Sequence, residues 1–235
     1  MAHSTIAVGV TTCARKDPYI YRSLNSFRSA GFSEALHIFC EPGSDDLSEV
    51  DNHIRVEAET QLGAFPNWKR GMQYLLDNTD DPWIMMLQDD VIWTADAAAI
   101  LYESVDAADP AEIGFLSPYA SAAMVGKEHK AGHGKDRNRP CPGLVSQWID
   151  AAHGKGKGFW GALAICMPRK SAERLRDAPR FKDHTHHRKI DVVLGNAFWG
   201  LELARRVHIP SLCHHIGAVS TLGRHKFKGN AWGRR

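Results

Sequence analysis

The chain has 235 residues, 43% hydrophobic and 24% charged, which is enough apolar surface for the core of one domain and too much for a disordered chain. Its net charge of +2 conceals a split: residues 1–126 hold 7 Lys or Arg against 19 Asp or Glu, whereas residues 127–235 hold 22 against 8, with ten of the 13 histidines. A second part this basic points to a polyanion or phosphates, or else to neutralisation across the interface between the two parts.

Along the chain, residues 6–12 read as an apolar strand. In the stretch that follows, Asp17 and Pro18 suit an N-cap and first turn, and residues 19–30 have helical spacing ended by Gly31. Residues 35–40 and 53–56 read as strands on either side of the acidic turn "EPGSDD". A helix is predicted over 67–77, with Trp68, Met72 and Leu75 or Leu76 on one face. A buried strand follows over 83–87, then a helix over 95–108 and a strand over 113–116. Strands alternating with helices predict an α/β fold with a mostly parallel central sheet flanked by helices.

Residues 121–143 are polar, glycine-rich and basic, too long for an ordinary connector. Beyond them a strand is predicted over 159–167, helices over 168–177 and 190–206, a short strand over 207–209, a turn at "CHHIG" and a basic tail, "HKFKGNAWGRR". No apolar stretch approaches the roughly 20 residues of a membrane span, and residues 1–10 lack the basic flank of a secretory signal, so a soluble cytoplasmic protein is expected. The five cysteines (Cys13, Cys40, Cys141, Cys166 and Cys213) form no CxxC pair, and reduced thiols are expected.

The most informative stretch is "PWIMMLQDDVIW". A run of core-forming side chains ends in Asp89 and Asp90, where unpaired charge would be expensive, so the acids belong where the strand leaves the sheet. That is where open α/β sheets bind ligands. Adjacent acids there suit Mg or Mn, which need only one or two carboxylates when phosphate oxygens and water complete the shell. They would equally suit a solvated turn or a cap for the helix that follows.

Taken in order, "IAVGVTTCARKDPYIYRSLNSF", "HIFCEPG", "NWKRGMQYLL", "WIMMLQDDVIW", "FWGALAICMPR" and "HIGAVSTLG" resemble the nucleotide-sugar glycosyltransferases of the GT-A fold, a Rossmann-like architecture. The resemblance covers nearly the whole chain. It implies a single domain, with residues 1–118 as the nucleotide-sugar-binding half and 119–235 as a basic, loop-rich acceptor half. It implies a metal-dependent transfer of sugar, with UDP-sugar as the donor class and Mn2+ or Mg2+ as cofactor.

Position by position, the resemblance sets Thr11, Thr12, Arg15 and Glu41 beside the base and ribose, and Asn67, Lys69 and Arg70 where a helix approaches the nucleotide. Each also has an ordinary role as a turn former, loop acid or helix-surface residue. The family's acidic triplet reads Gln88, Asp89, Asp90 here, so the first acid is missing. Asp90 keeps the metal role, Gln88 faces ribose, and Asp89 is a second partner. Trp160 would pack on the sugar's apolar face, and Gly161 would allow close backbone approach. Asp191 matches the base that removes the acceptor proton in an inverting transfer, and would also serve as an N-cap. His215, in preference to His214, matches a late metal-binding histidine, whereas "HTHH" at 184–187 reads as a solvated basic loop.

The tail residues Arg224, Lys226, Lys228, Arg234 and Arg235, with Phe227 and Trp232, would close over the diphosphate or bind a polyanionic acceptor. Hydroxymethylated DNA is one such acceptor, alongside glycans. Two rival readings stand beside the transferase: a nonenzymatic nucleic-acid-binding protein on a degenerate transferase scaffold, and a metal-dependent hydrolase using the acid pair with His214 and His215.

Overall fold

The structure, a computed structural model, describes residues 3–120, 146–151, 161–184 and 190–216. The first strand, β1 (Ile6–Thr12), leads to α1 (Ile20–Ser29), β2 (Leu36–Cys40) and β3 (His53–Glu57). Next come α2 (Ala64–Asn78), β4 (Trp83–Gln88), β5 (Val91–Trp93), α3 (Ala97–Ala107) and β6 (Ile113–Ser117). After β7 (Gln147–Asp150) and β8 (Ala164–Pro168) the chain runs through α4 (Arg169–Asp177), α5 (Pro179–Lys182), α6 (Ile190–Gly200), β9 (Ala204–Ile209) and β10 (Cys213–His215).

Eight strands form one sheet in the order β3-β2-β1-β4-β8-β6-β9-β7. The four from β3 to β4 are mutually parallel, β6 and β9 share their direction, and β8 and β7 run against it. The expected mixed α/β architecture with a mostly parallel sheet is therefore present, with two reversed strands that hydrophobic pattern alone did not reveal.

Alternation along the strands builds two cores. Ile6, Val8, Val10, Met85 and Leu87 face α1 and α3, where Leu24, Phe27, Leu101 and Val105 are buried. Ile84, Met86, Ile165 and Met167 face the opposite way, toward Trp68, Met72 and Leu75 of α2 and Phe198 of α6. Each such large side chain removed from water stabilises the fold by roughly 1.5–3 kcal/mol. α2 lies close on the sheet at Gly71, where a Cβ would come within 2.7 Å of the Phe39 ring.

Because α1 and α2 cover opposite faces, the chain winds outward from β1 to β3 and then returns to β4 on the other side of β1. The strand order reverses between β1 and β4. In open α/β sheets the crevice outside the carboxyl ends of such a strand pair is the ligand position.

Several element boundaries differ from the sequence expectations. The first helix begins at Ile20 with Tyr19 at the cap position, so Asp17 and Pro18 precede it without capping it. α2 starts at Ala64, three residues early, because Pro66 is tolerated in a first turn where the missing N–H would have had no helical partner. The strand expected over 159–167 is β8, Ala164–Pro168. The helix expected over 190–206 stops at Gly200; the chain turns through Glu202 at φ 57°, and residues 204–206 join β9. "CHH" is strand β10 instead of a turn, and β5 and β7 were not anticipated. Short strands of three or four residues carry too little periodicity to stand out.

Among the described residues Cys40, Cys166 and Cys213 are buried and form no disulfide; Cys141 lies outside the described residues. Among the described residues no helix is long and apolar enough to cross a membrane.

Candidate active site at the carboxyl ends of β1 and β4

Thr11 pairs with Gln88 across the parallel β1–β4 ladder, so the loops leaving both strands emerge side by side. One loop supplies Thr12 and Arg15, the other Asp89 and Asp90. Asp89 and Asp90 are only 2% and 4% exposed, so their charge must be met by neighbours instead of solvent.

Asp89 is fully engaged. Its Oδ1 accepts from Arg15 Nη2 at 2.6 Å, and its Oδ2 accepts from Thr12 Oγ1 at 2.7 Å and Arg15 Nε at 3.2 Å. Asp90 is engaged on one side only: Oδ2 lies 3.0 Å from His215 Nε2 and 3.4 Å from Arg15 Nη2. Asp90 Oδ1 is buried and has no hydrogen-bond partner among the described residues.

Burial drives the Asp89 carboxyl up to about 6; Arg15 pulls against this, Asp90 adds to the rise, and the Thr12 bond opposes it. Burial acts on Asp90 in the same direction, but the hydrogen bond and charge of His215, together with Arg15, outweigh it and hold that carboxyl below its ordinary value. For Arg15 the cost of burial is exceeded by Asp89 and Asp90, which raise its pKa. Two acids this close thus divide, one reluctant to ionise and one held ionised.

His215 is brought in by the small antiparallel pair β5–β10. Val91, directly after Asp90, is opposite His215, and Ile216 donates its N–H to the Asp90 carbonyl at 2.9 Å. The two residues are 125 positions apart in the chain, and this ladder brings them together. His214, one place earlier, pairs with Ile92, and burial lowers its pKa.

The start of β8 lies against the end of β4. Gln88 donates from Nε2 to the Ala162 carbonyl at 2.9 Å, and its backbone N–H bonds the Leu163 carbonyl at 2.9 Å. Gly161 in turn donates its N–H to Asp191 Oδ2 at 3.4 Å, while Asp191 Oδ1 accepts the Val192 N–H at 2.9 Å. Asp191, in the first turn of α6, is therefore tied through residues 161–163 to the end of β4. Gly161 has φ +99°, and a Cβ there would lie 2.4 Å from the Tyr119 ring, so this link requires glycine.

The remaining sequence-predicted residues gather elsewhere or bond inward. Thr11 donates to the Leu87 carbonyl at 3.2 Å. Glu41 continues the same sheet edge, its N–H on the Thr12 carbonyl, and its Oε1 accepts the Leu62 and Gly63 N–H groups that open α2 at 3.2 and 2.5 Å. Asn67 donates to the Phe39 carbonyl at 3.0 Å and accepts from Arg70, whose guanidinium also bonds the Val56 and Glu57 carbonyls. Lys69 bonds the Phe181 and Lys182 carbonyls, away from the acid pair. Trp160, residues 185–187 of the histidine-rich run and the basic tail lie outside the described residues.

Two aromatic neighbours were not anticipated. Tyr19 lies under the Arg15 guanidinium, 5.7 Å from Cζ to ring centroid, and Tyr119 packs against Gly161. Their signal in the sequence was position alone, each falling just beyond a strand end at the sheet's ligand edge. A separate cavity of about 510 Å³ between α3 and β7, bordered by Trp148, Arg206 and His208, contains none of the predicted site residues.

Among the described residues no three His, Cys, Asp or Glu side chains converge as a metal-binding group. Asp90 and His215 nevertheless offer a two-donor set. Their oxygen and nitrogen are hydrogen-bonded at 3.0 Å, and the imidazole would give up that proton to ligate a cation. Asp90 Oδ1, buried and unpartnered, is a further acceptor of the kind a cation satisfies.

No protein-family model matches the chain, and no curated protein matches its sequence. Among solved structures it is similar to mannosyltransferase PcManGT from Pyrobaculum calidifontis, determined in complex with GDP-Man and Mn2+. The TM-score is 0.48 at 17% identity, over 82% of this chain and 50% of that one. The chain thus spans half the length of this structural neighbour.

Proposed function

We propose that the chain is a metal-dependent glycosyltransferase that moves a sugar from a nucleotide-sugar donor to an acceptor hydroxyl. The observation that carries this reading is the half-satisfied acid pair in the crevice between β1 and β4. Asp90 Oδ1 is buried without a partner, beside a guanidinium and an imidazole, where open α/β sheets take nucleotides. In this reading Asp90 and His215 hold Mn2+ or Mg2+, which when bound supplies positive charge to the donor diphosphate as it departs.

The chain's own groups have distinct tasks. Thr11, Thr12 and Arg15 border the nucleotide and Gln88 faces ribose, whereas Glu41, Asn67, Lys69 and Arg70 bond backbone groups and brace the chain beside it. Asp89 stabilises this edge, and Trp160 and Gly161 border the sugar. Asp191, held by the Gly161 and Val192 N–H groups, accepts the acceptor's hydroxyl proton in an inverting displacement. UDP-sugar is the donor class we propose, on sequence resemblance.

The test is release of nucleoside diphosphate from a panel of UDP- and GDP-sugars, with and without Mn2+. Metal-stimulated release that Asp90→Ala abolishes supports the reading; release indifferent to Asp90→Ala sinks it. For the acceptor we propose an anionic polymer, hydroxymethylated DNA among the candidates, because residues 127–235 carry 22 Lys or Arg against 8 acids. Gel-shift titration across salt decides: salt-sensitive binding supports it, and absence of binding to single-stranded and duplex DNA removes it.

A further inference from the structure

The two adjacent acids are not equivalent. Asp89 accepts three hydrogen bonds, two of them from Arg15 as a fork onto both oxygens, and has only 3% of its side chain exposed. Asp90 receives His215 and a longer contact from Arg15 on one oxygen, and nothing among the described residues on the other. A carboxylate whose oxygens already bond a guanidinium and a hydroxyl has little left for a cation.

Arg15 is asymmetric in the complementary way. Its Nε and Nη2 are directed at the acids, and among the described residues no group bonds Nη1. Tyr19 supports one face of the guanidinium, and the side chain is 12% exposed. A planar cation clamped on one edge and supported on one face keeps its other edge fixed, which suits recognition of phosphate. Charge points the same way. Two carboxylates and one guanidinium sum to −1, and a divalent cation at Asp90 turns that to +1, so that the site attracts a diphosphate instead of repelling it.

We infer that Asp89 is a positioning residue for Arg15, not a metal ligand, and that the Nη1 edge of Arg15 binds the donor's diphosphate beside the cation position at Asp90. This rests on the glycosyltransferase reading for the identity of the donor. The Arg15 assignment itself concerns only the diphosphate group, and its test needs no sugar transfer.

The experiment uses the full chain and its Asp89→Asn, Arg15→Lys and Asp90→Asn variants. Inorganic pyrophosphate binding is measured by calorimetry with Mn2+ and with EDTA, and Mn2+ binding alone by electron paramagnetic resonance. Arg15→Lys keeps the charge but loses the fork, and should weaken pyrophosphate about 10-fold under both conditions while Mn2+ affinity stays within about 3-fold. Asp89→Asn should behave like Arg15→Lys, and the double variant should be no weaker than either, since both act through one contact. Asp90→Asn should lose Mn2+ instead.

Loss of Mn2+ affinity in Asp89→Asn comparable to that in Asp90→Asn would overturn the inference. So would unchanged pyrophosphate affinity in Arg15→Lys, which would leave Arg15 as a counter-ion for buried acids. If Asp89→Asn fails to fold, Arg15→Lys decides alone. A chain that binds pyrophosphate through Arg15 but turns over no sugar nucleotide would defeat the transferase reading and leave this assignment standing.

Discussion

Two polar clusters occupy neighbouring stretches of the same sheet edge, and they differ in one respect. Around β2 and α2, Glu41, Asn67 and Arg70 bond chiefly backbone groups: the N–H groups opening α2 and the carbonyls of Phe39, Val56 and Glu57. Around β1 and β4, Arg15, Asp89, Asp90 and His215 bond one another, yet an acid oxygen is left buried and unpartnered. The first arrangement braces the chain. The second has capacity to bind, because an unsatisfied buried polar atom is costly until a ligand meets it.

The largest effect is expected at the second cluster. Asp90→Asn should lower metal-stimulated sugar-nucleotide turnover by at least about 100-fold, roughly 2.7 kcal/mol, with a lower thermal midpoint because the folded chain favours the ionised carboxylate. Turnover within a few-fold of the parent would erase the distinction between the clusters.

Gly161→Ala probes the link between them and Asp191. Its φ of +99° and the overlap with Tyr119 should cost about 3 kcal/mol, read as a lower denaturant midpoint, and activity should fall further than unfolding explains. A variant as stable and active as the parent would show that the 161–191 contact is dispensable.

Asn67→Ala tests the braced cluster. It strips a donor from the Phe39 carbonyl and an acceptor from Arg70, and should cost about 1–2 kcal/mol in urea denaturation with pyrophosphate affinity unchanged. Weaker pyrophosphate binding at full stability would make this cluster part of the nucleotide site, as the family resemblance implies.

The smallest effect belongs to Glu41→Gln, which keeps an acceptor for the Leu62 and Gly63 N–H groups but removes negative charge from the start of α2. About 0.3–1 kcal/mol should be lost, measured by thermal melting. A loss several times larger would mean that the charge meets something besides the helix start.

Much of the framework around β1 and β4 was legible because its signals are local. Residues 6–10 and 83–87 are continuous apolar runs, and α1 repeats its buried residues at Ile20, Leu24 and Phe27, so both strands and the helix between β1 and β2 could be read directly. The acids at 89 and 90 were legible as a strand-end pair because a core strand cannot end in charge without leaving the core. The three-residue strands β5 and β10 were not, since their pairing partners lie more than 100 residues apart. The reversal of β8 was equally hidden, because a strand buried on both faces has the same composition in either direction.

The sequence by itself determined the alternation of strands and helices, the position of two acids at a strand end and the excess of basic residues in the second part. Tertiary structure decided that β1 and β4 are neighbours at the reversal of strand order, that β10 carries His215 to Asp90, and that Arg15 takes Asp89 and leaves Asp90 half-satisfied. The division has a physical cause. Periodicity and burial act over a few residues, whereas satisfaction of a buried charge depends on groups from distant strands, and only packing brings them together.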